Sequence, residues 1–252
     1  MHLILTGATG LVGSGVLDAM IKMKGVTKIS ILSRRPVPMA EDAKDPRINV
    51  IIHKDFTKYD SVLNQLKGAR GCVWALGISQ TQVSKEEYVK ITKDYALAAG
   101  EAFQHLAREN QPFNFVYVSG RGATTEPGRF SAIFARVKGE TEIALAELRK
   151  KNPLLHASSV RPAAVDGTAH EAIQQYIPTA PWLYRTIAPV MLTPIRVGLP
   201  GLHSPTEPLG RFLTEMAMAK HPVTPAQDIS MIGAFPILEN SAFRRLVGLD
   251  SN

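Results

Sequence analysis

The first sixteen residues constrain the fold of this chain more than any other segment. A short apolar run at residues 2–6 leads directly into glycines at 7, 10 and 13, and a second apolar run follows. In a strand–turn–helix unit, Gly7 permits the tight turn, Gly10 lets the backbone approach a pyrophosphate, and Gly13 lets the helix pack closely on the strand. The N–H groups at the start of that helix then face the phosphates. The segment predicts the opening unit of a dinucleotide-binding fold; the alternative is a glycine-rich turn without a ligand.

Strand-like and helix-like segments alternate through the first two thirds of the chain. Predicted strands lie at residues 2–6, 28–33, 48–54, 71–76, 113–119 and 154–161. Predicted helices lie at residues 11–24, 58–66, 85–109 and 131–151. Such alternation indicates an α/β fold of the Rossmann type, a doubly wound parallel sheet that binds ligands at the carboxyl ends of its strands.

The pattern changes after Pro162, because seven of the 17 prolines fall between residues 178 and 208. Proline interrupts sheet pairing, so we expect this stretch not to continue the sheet. The sequence therefore predicts a core over residues 1–165 and a small, irregular substrate-covering lobe over 166–252, within one compact domain. That lobe closes with predicted elements in a fixed order: a helix at 208–219, a strand at 228–233 and a helix at 240–247.

Composition excludes several classes of function. The formal net charge is +7, but no basic tract with interleaved aromatic residues is present, so a nucleic-acid partner is not expected. The single cysteine, Cys72, lies in an apolar run and is predicted to be a buried strand thiol. The histidines lack paired ligand spacing, so no metal site is predicted. Arg185 and Arg196 interrupt the apolar stretch 182–199, which is a poor membrane span, and a cytosolic protein is expected.

The second predicted strand ends in Ser33-Arg34-Arg35. This position faces the adenosine ribose in dinucleotide-binding folds, where an acidic residue favours a free 2′-hydroxyl and an arginine accommodates a 2′-phosphate. The two guanidinium groups therefore predict NADP(H), the alternative being a solvated arginine pair. Asp55 and Phe56 follow the third strand, where the carboxylate could meet the adenine amino group or could simply cap a helix.

These motifs, in this order, resemble the extended and atypical short-chain dehydrogenase/reductases. The resemblance is greatest to the epimerase-like branch that includes Tat-interacting-protein-type oxidoreductases and fungal Fmp52-like proteins, and it covers residues 1–165 best. It implies a nicotinamide cofactor and a small-molecule substrate. The cofactor-binding residues that it implies, together with the motifs above, are Gly7, Thr9, Gly10, Leu11, Val12, Gly13, Ser33, Arg34, Arg35, Asp55, Phe56, Leu76, Gly77, Lys138 and Pro162.

The resemblance also implies a catalytic serine and a Tyr-x-x-x-Lys pair. Ser119 matches the serine and Lys138 the lysine, but Phe134 stands where the family has tyrosine. A phenyl ring has no proton to give, so the usual general acid is missing. The proton could come from Ser119, from water or from a residue of the lobe. The other candidate donors are Tyr117, for which a core position is favoured, and Tyr176, Tyr184, His170 and His203.

The sequence thus predicts an NADP(H)-binding oxidoreductase that acts on a small carbonyl-type substrate. Two alternatives stay open. Loss of the tyrosine is compatible with a sensor or scaffold protein that binds the nucleotide without turnover, or with a non-redox isomerase or lyase. The helix at 131–151 and the helix before it are candidates for a homodimer face, by analogy with related folds.

Overall fold

The computed structural model describes residues 1–177 and 198–250 of the chain. The strands in these ranges are β1 (His2–Thr6), β2 (Lys28–Ser33), β3 (Ile48–Ile52), β4 (Ala69–Trp74), β5 (Phe113–Val118), β6 (Leu155–Arg161), β7 (Ala164–Asp166), β8 (His203–Pro205), β9 (Ile229–Ile232) and β10 (Phe235–Glu239). The α-helices are α1 (Leu11–Lys22), α2 (Pro38–Ala43), α3 (Asp60–Leu66), α4 (Lys85–Val89), α5 (Tyr95–Phe103), α6 (Ile133–Lys151), α7 (Thr206–Ala217) and α8 (Asn240–Leu246).

Eight strands form one sheet in the order β3-β2-β1-β4-β5-β6-β10-β9. Every neighbouring pair is parallel except β10 and β9, which are antiparallel. The chain runs from β1 outward to β3 and then returns to place β4 on the other side of β1. The prediction of a doubly wound Rossmann-type sheet is confirmed. Ligands bind such sheets at this reversal of strand order, where the loops after β1 and β4 diverge.

Both faces of the sheet are covered by helices, and β1 shows this in its burial. All five of its residues are buried; Leu3 and Leu5 face one apolar cluster, whereas Ile4 faces the other. Cys72 on β4 is fully buried, as predicted. Within the described ranges, no helix combines the length and the apolar character needed to cross a membrane.

The stretch predicted not to continue the sheet, residues 178–208, lies mostly outside the described residues, and the closing strand predicted at 228–233 is present as β9. β10 adds to the sheet beside β6, and β9 pairs with its other edge. Pro236 lies within β10 but is tolerated, because pairing with β6 begins one residue later, at Ile237 opposite Ser159. The core–lobe division at residue 165 stays a prediction, and the sheet runs across it.

Several predicted boundaries shift. The strand predicted at 48–54 ends at Ile52, and the one predicted at 71–76 runs from Ala69 to Trp74. The helix predicted at 85–109 is divided into α4 and α5 by a π-helical turn, Lys90–Asp94, and it ends near residue 106. The helix predicted at 208–219 spans Thr206–Ala217, so Pro208 lies in its first turn, where the ring is compatible with helix. Helix α2 and strands β7, β8 and β10 were not predicted.

Candidate functional site

The loop after β1 has the backbone geometry that its glycines predict. Gly7 adopts φ +71°, and a Cβ there would lie 2.3 Å from the Ala75 carbonyl oxygen. A Cβ on Gly13 would lie 2.0 Å from the Gly7 carbonyl oxygen. Neither position can therefore hold a side chain. A Cβ on Gly10 would meet only the Gly7 carbonyl oxygen, at 3.3 Å, so the backbone at Gly10 borders open space.

Helix α1 begins at this open space with its first N–H groups uncapped by any side chain, since Gly10 is the N-cap. The first N–H groups of a helix lack intrahelical partners and carry the positive end of the helix dipole. Gly10, Leu11 and Val12 all line the adjacent cleft. The uncapped N-terminus of this twelve-residue helix can thus bind an anion, and the adjacent cleft leaves space for that anion.

The end of β2 brings two arginines to the same sheet edge. Ser33 organises this turn, because its hydroxyl donates to the Arg35 carbonyl at 2.7 Å and accepts from the Arg35 N–H at 3.3 Å. Arg34 and Arg35 are exposed, and the Arg35 guanidinium reaches Thr9 Oγ1 in the glycine loop at 3.4 Å. Arg35 therefore contacts the glycine loop, and Arg34 precedes it at the same sheet edge, where the sequence predicts the ribose phosphate.

Asp55 and Phe56 have different surroundings. The exposed Asp55 carboxylate accepts from the N–H and the hydroxyl of Thr57, and these bonds hold the pKa of Asp55 below its ordinary value. The Phe56 ring is buried and packs edge-to-face on Trp74 at 6.1 Å between centroids. Phe56 can therefore reach a cofactor only through its backbone, and the cofactor role of both residues stays a prediction.

A cleft of about 670 Å³ opens at the carboxyl edge of the sheet, between the loops after β1, β4, β5 and β6. Its size lies within the range of small-molecule and cofactor sites. Eight of the predicted site residues, including the predicted catalytic serine and lysine, meet here: Gly10, Leu11, Val12, Leu76, Gly77, Ser119, Lys138 and Pro162.

Ser119 and Lys138 lie side by side in this cleft. The Ser119 side chain is buried, and its Oγ has no hydrogen-bond partner among the described residues. The Lys138 ammonium donates to the Ser119 carbonyl oxygen at 2.5 Å. Burial lowers the pKa of Lys138 to about 8, against the opposing effect of the Glu142 charge. The residues that carry an unsatisfied buried hydroxyl and a cation thus line the same cleft.

Phe134 precedes Lys138 by one helical turn. Its ring lies beside Gly122, where a Cβ would be 3.5 Å from the ring's outermost carbon, Cζ. Its backbone N–H, in the first turn of α6, donates to Gln80 Oε1 at 3.0 Å. Gly139 allows α6 to approach this loop closely, since a Cβ there would overlap the Thr124 carbonyl at 1.8 Å. Phe134 therefore packs on the loop after β5, and its identity as the counterpart of the family's tyrosine stays a prediction.

The remaining candidate proton donors have structural partners. Tyr117 is in the core, as favoured, with its hydroxyl donating to the Thr92 carbonyl at 3.4 Å. The Tyr176 hydroxyl donates to Asp42 at 2.8 Å, and His203 pairs with Asp166 at 2.8 Å. His170 is buried between Asp18 and Thr206, at 2.9 and 3.0 Å. Tyr184 lies outside the described residues.

Sequence reasoning missed the contribution of two segments to the cleft. Ser79 and Gln82 line it from the loop after β4, and Gln80 in the same loop binds α6. The polar run 79–82 directly after a strand was a usable signal, because polar residues at strand ends collect at the carboxyl edge. Thr92 lines the cleft from the π-helical turn, for which no sequence signal was available.

One cluster has the composition of a metal site. Single ligand atoms of Asp18, His170 and Glu207 lie within 4.8 Å of one another. The Lys22 ammonium is 2.7 Å from Asp18 and 3.6 Å from Glu207, so a protein cation already neutralises these carboxylates. The cluster therefore has the character of an ion-pair network that runs from the buried Asp18 and His170 to the exposed Lys22 and Glu207.

Comparison with known proteins identifies relatives in fungi. The chain is 34% identical over 256 residues to leucinostatins biosynthesis cluster protein T of Purpureocillium lilacinum, covering 94% of this chain and 90% of that protein. It is 41% identical over 156 residues to botcinic acid biosynthesis cluster B protein 16 of Botryotinia fuckeliana, covering 61% and 99%. No family model matches the chain.

A third relative bears on location. Protein fmp52 of Emericella nidulans, named mitochondrial, is 27% identical over 173 residues, covering 68% of this chain and 70% of that protein. Further Fmp52 relatives carry the same designation. The prediction of a cytosolic protein is contradicted by these relatives. That prediction rested on the interrupted apolar stretch 182–199, which does not distinguish one compartment from another.

Solved structures show the same fold. The PhqB reductase domain from Penicillium fellutanum superposes with a TM-score of 0.64 at 14% identity, covering 86% of this chain and 64% of that one. WbmF from Bordetella bronchiseptica, solved with NAD+ and UDP, gives 0.65 at 12% identity, covering 100% and 79%. One relative is 34% identical over nearly the whole chain, and both the glycine loop and the fold agree with this relationship. The chain therefore belongs to the atypical, epimerase-like branch of the NAD(P)-binding short-chain dehydrogenase/reductase family.

Proposed function

We propose that this chain binds NADP(H) and reduces a carbonyl group on a small organic molecule. The observation that carries the proposal is the cleft at the carboxyl edge, which brings the uncapped start of α1 together with Ser119 and Lys138. The fold alone does not imply this activity, since the same fold hosts many functions. The chemistry of these groups supports it.

The residues present fit a dinucleotide. Open space in front of Gly10 and the uncapped N–H groups of α1 suit the pyrophosphate. Arg34 and Arg35 suit a 2′-phosphate, because a guanidinium binds phosphate oxygens through two parallel hydrogen bonds. Lys138 would bind the nicotinamide ribose, as the family resemblance implies. Once bound, the reduced cofactor supplies a hydride.

Ser119 would orient the substrate. Its Oγ is buried and lacks a partner, which normally costs about 1–3 kcal/mol, so a ligand oxygen that accepts its proton recovers that free energy. A carbonyl oxygen is such an acceptor, and polarising it favours hydride addition at the carbon.

The relatives support the substrate class and the location. Two of them are named for biosynthesis clusters of leucinostatins and botcinic acid, which favours a small organic substrate for this chain. The mitochondrial designation of the Fmp52 relatives favours a mitochondrial location.

Nucleotide titration tests the cofactor assignment. We expect NADPH to bind about ten- to a hundredfold more tightly than NADH, since one charge-assisted contact contributes about 1.5–3 kcal/mol. Arg34→Ala should remove most of this preference, and Arg35→Ala should weaken it. The measurement is NADPH and NADH fluorescence against the purified protein.

Two variants serve as controls. Arg108→Ala changes an exposed arginine at the opposite edge of the sheet, before β5, and should keep the preference. Gly10→Val fills the open space before the loop and should abolish binding while circular dichroism shows an intact fold. Equal affinities of the wild-type protein for the two nucleotides would refute the NADP(H) assignment.

The second candidate function is a nucleotide-binding sensor or scaffold, which is favoured by the lack of a hydroxyl at Phe134. A turnover measurement separates this candidate from the reductase. NADPH oxidation with a panel of aldehydes and ketones is expected for the reductase. Tight NADPH binding without oxidation across the panel would support the sensor.

A further inference from the structure

We infer that the Lys138 ammonium donates the proton to the substrate oxygen in this chain, in the role that the missing tyrosine hydroxyl would have. This inference rests on the proposed carbonyl reduction. It assigns the proton donor, which neither the sequence nor the comparisons identify.

The polar side chains of the cleft differ in their ability to donate a proton. In the described part of the chain these are Ser79, Gln82, Thr92, Tyr117, Ser119 and Lys138. Serine and threonine hydroxyls are too weakly acidic to act as general acids near neutral pH, and a glutamine amide is weaker still. The Tyr117 hydroxyl donates to the Thr92 carbonyl, and burial raises its pKa well above the ordinary value. Lys138 is the one cationic acid in this set.

The ammonium group of Lys138 lies close to the residue proposed to hold the substrate oxygen. A Cβ on Gly120 would lie 3.3 Å from Lys138 Nζ, so the ammonium sits directly against the backbone at the end of β5. One N–H is donated to the Ser119 carbonyl, and an ammonium has three, so two stay available for a ligand. The same residue, Ser119, supplies the hydroxyl proposed to hold the substrate oxygen. That oxygen and Nζ are therefore brought to the same few ångströms of the cleft.

The acidity of the Lys138 ammonium also suits a proton donor. General acids work best when their pKa lies near the working pH, and burial brings the pKa of Lys138 to about 8. Phe134, one turn earlier, adds an apolar neighbour in place of a hydroxyl. A tyrosine there would give the ammonium a polar partner and favour its charged form.

Charged and titratable groups on the elements packed around Lys138 have partners of their own. Among them are Tyr117, Lys93, Glu140, Glu142, Arg161 and Glu239. Lys93 pairs with Glu140 at 2.9 Å, and Arg161 pairs with Glu142 and Glu239 at 2.5 and 2.7 Å. Glu142 also accepts from Ser159 at 2.8 Å, so it is already committed to partners on β6. Carboxylates and guanidinium groups ordinarily titrate far from pH 8.

The carbonyl carbon accepts a hydride from a reduced nicotinamide dinucleotide, its C=O π bond breaks, and the oxygen takes the proton from Lys138 Nζ. The products are an alcohol, the oxidised dinucleotide and a neutral Lys138 amine. That amine regains a proton from solvent through the open cleft.

Two measurements test the inference. In the wild-type enzyme, we expect the turnover of a reducible carbonyl compound to fall as the pH rises through about 8, because the ammonium form is lost. Lys138→Arg keeps the charge but holds its proton too tightly to donate it. Turnover should therefore fall about 10²–10⁴-fold, while NADPH affinity stays within tenfold. The matched control, Lys150→Arg, changes an exposed lysine of the same helix and should leave both unchanged.

The second measurement needs no turnover. Competitive acetylation of the nucleotide-free protein across pH, read by mass spectrometry, should show Lys138 titrating near pH 8, below the ordinary lysine value of about 10.4. An active wild type with an equally active Lys138→Arg, or a Lys138 amine that titrates at the ordinary lysine value, overturns the proton-donor role alone. A wild type that binds NADPH but reduces no carbonyl compound overturns the proposed function, and the donor role with it.

Discussion

At the scale of single residues, Phe134 has the largest consequence. Its ring packs beside Gly122, and its N–H is held by Gln80. In the proposed function, Phe134 stands where the family resemblance implies a tyrosine hydroxyl. An apolar ring at this point favours a less strongly solvated Lys138.

Phe134→Tyr tests which group supplies the proton. We expect turnover within about threefold of the wild type, because Lys138 already acts as the donor. The measurement is steady-state NADPH oxidation with the best substrate of the carbonyl panel. A rise of 10²-fold or more would mean that the wild-type proton relay is impaired, and it would contradict the role assigned to Lys138.

The residues of the site were predictable to different degrees. The sequence alone predicts the roles of Gly7, Gly10 and Gly13. Each role depends only on the local backbone geometry of one strand–turn–helix unit. Ser119 and Lys138 followed from the family pattern. Gln80 could not be predicted, since its bond to Phe134 joins residues 54 positions apart in sequence, and only the folded chain brings them together.

At the scale of elements, the contact between α1 and α7 depends on glycine. A Cβ on Gly210 of α7 would lie 2.2 Å from the Gly15 carbonyl oxygen of α1, and one on Gly15 would lie 2.9 Å from the Thr206 carbonyl oxygen. The two helices therefore approach backbone to backbone. Leu209, Phe212 and Leu213 are fully buried in the apolar cluster that also contains Val16 and Leu17 of α1.

Gly210→Ala should separate these helices and destabilise the fold. Overpacking of this kind costs roughly 1–3 kcal/mol, which urea unfolding followed by circular dichroism would detect. The control is Gly201→Ala, where a Cβ would meet nothing within 4 Å. A Gly210→Ala protein as stable as this control would show that α7 can shift without loss of packing.

Element prediction succeeded for uninterrupted apolar runs, even for strands of five residues such as β1 and β3. All six predicted strands of the first two thirds are present, because each is an apolar run between turn residues. The π-helical turn at Lys90–Asp94 and the strand Phe235–Glu239 were missed. The π-helical turn does not change the apolar periodicity of the helix, and the strand is interrupted by Pro236.

At the scale of the whole molecule, a buried network ties distant parts of the chain together. His170 binds Asp18 of α1 at 2.9 Å and Thr206 of α7 at 3.0 Å, and Lys22 binds Asp18 at 2.7 Å. Sequence reasoning placed His170 among candidate proton donors in the lobe. It could not foresee this pairing, because Asp18 and His170 are 152 residues apart.

His170→Phe should weaken the whole fold by roughly 1–3 kcal/mol, because it leaves the buried Asp18 and Thr206 without this partner. The measurement is the free energy of unfolding in urea. His105→Phe makes the same change at an exposed position and should stay within about 0.5 kcal/mol of the wild type. Equal stability of the two variants would argue that Lys22 alone satisfies Asp18.

The close packing of α1 against α7 has a consequence for how the chain is made. The helix that follows the first strand leaves the ribosome early, whereas the helix that covers it ends at Ala217. Until then the nascent chain carries an uncovered apolar surface that includes Val16 and Met20. Exposed surfaces of this kind promote aggregation during synthesis. Helix α1, which is synthesised early, is thus covered by helix α7, which is synthesised late. A chain that ended before α7 would be a substrate for chaperones and proteases.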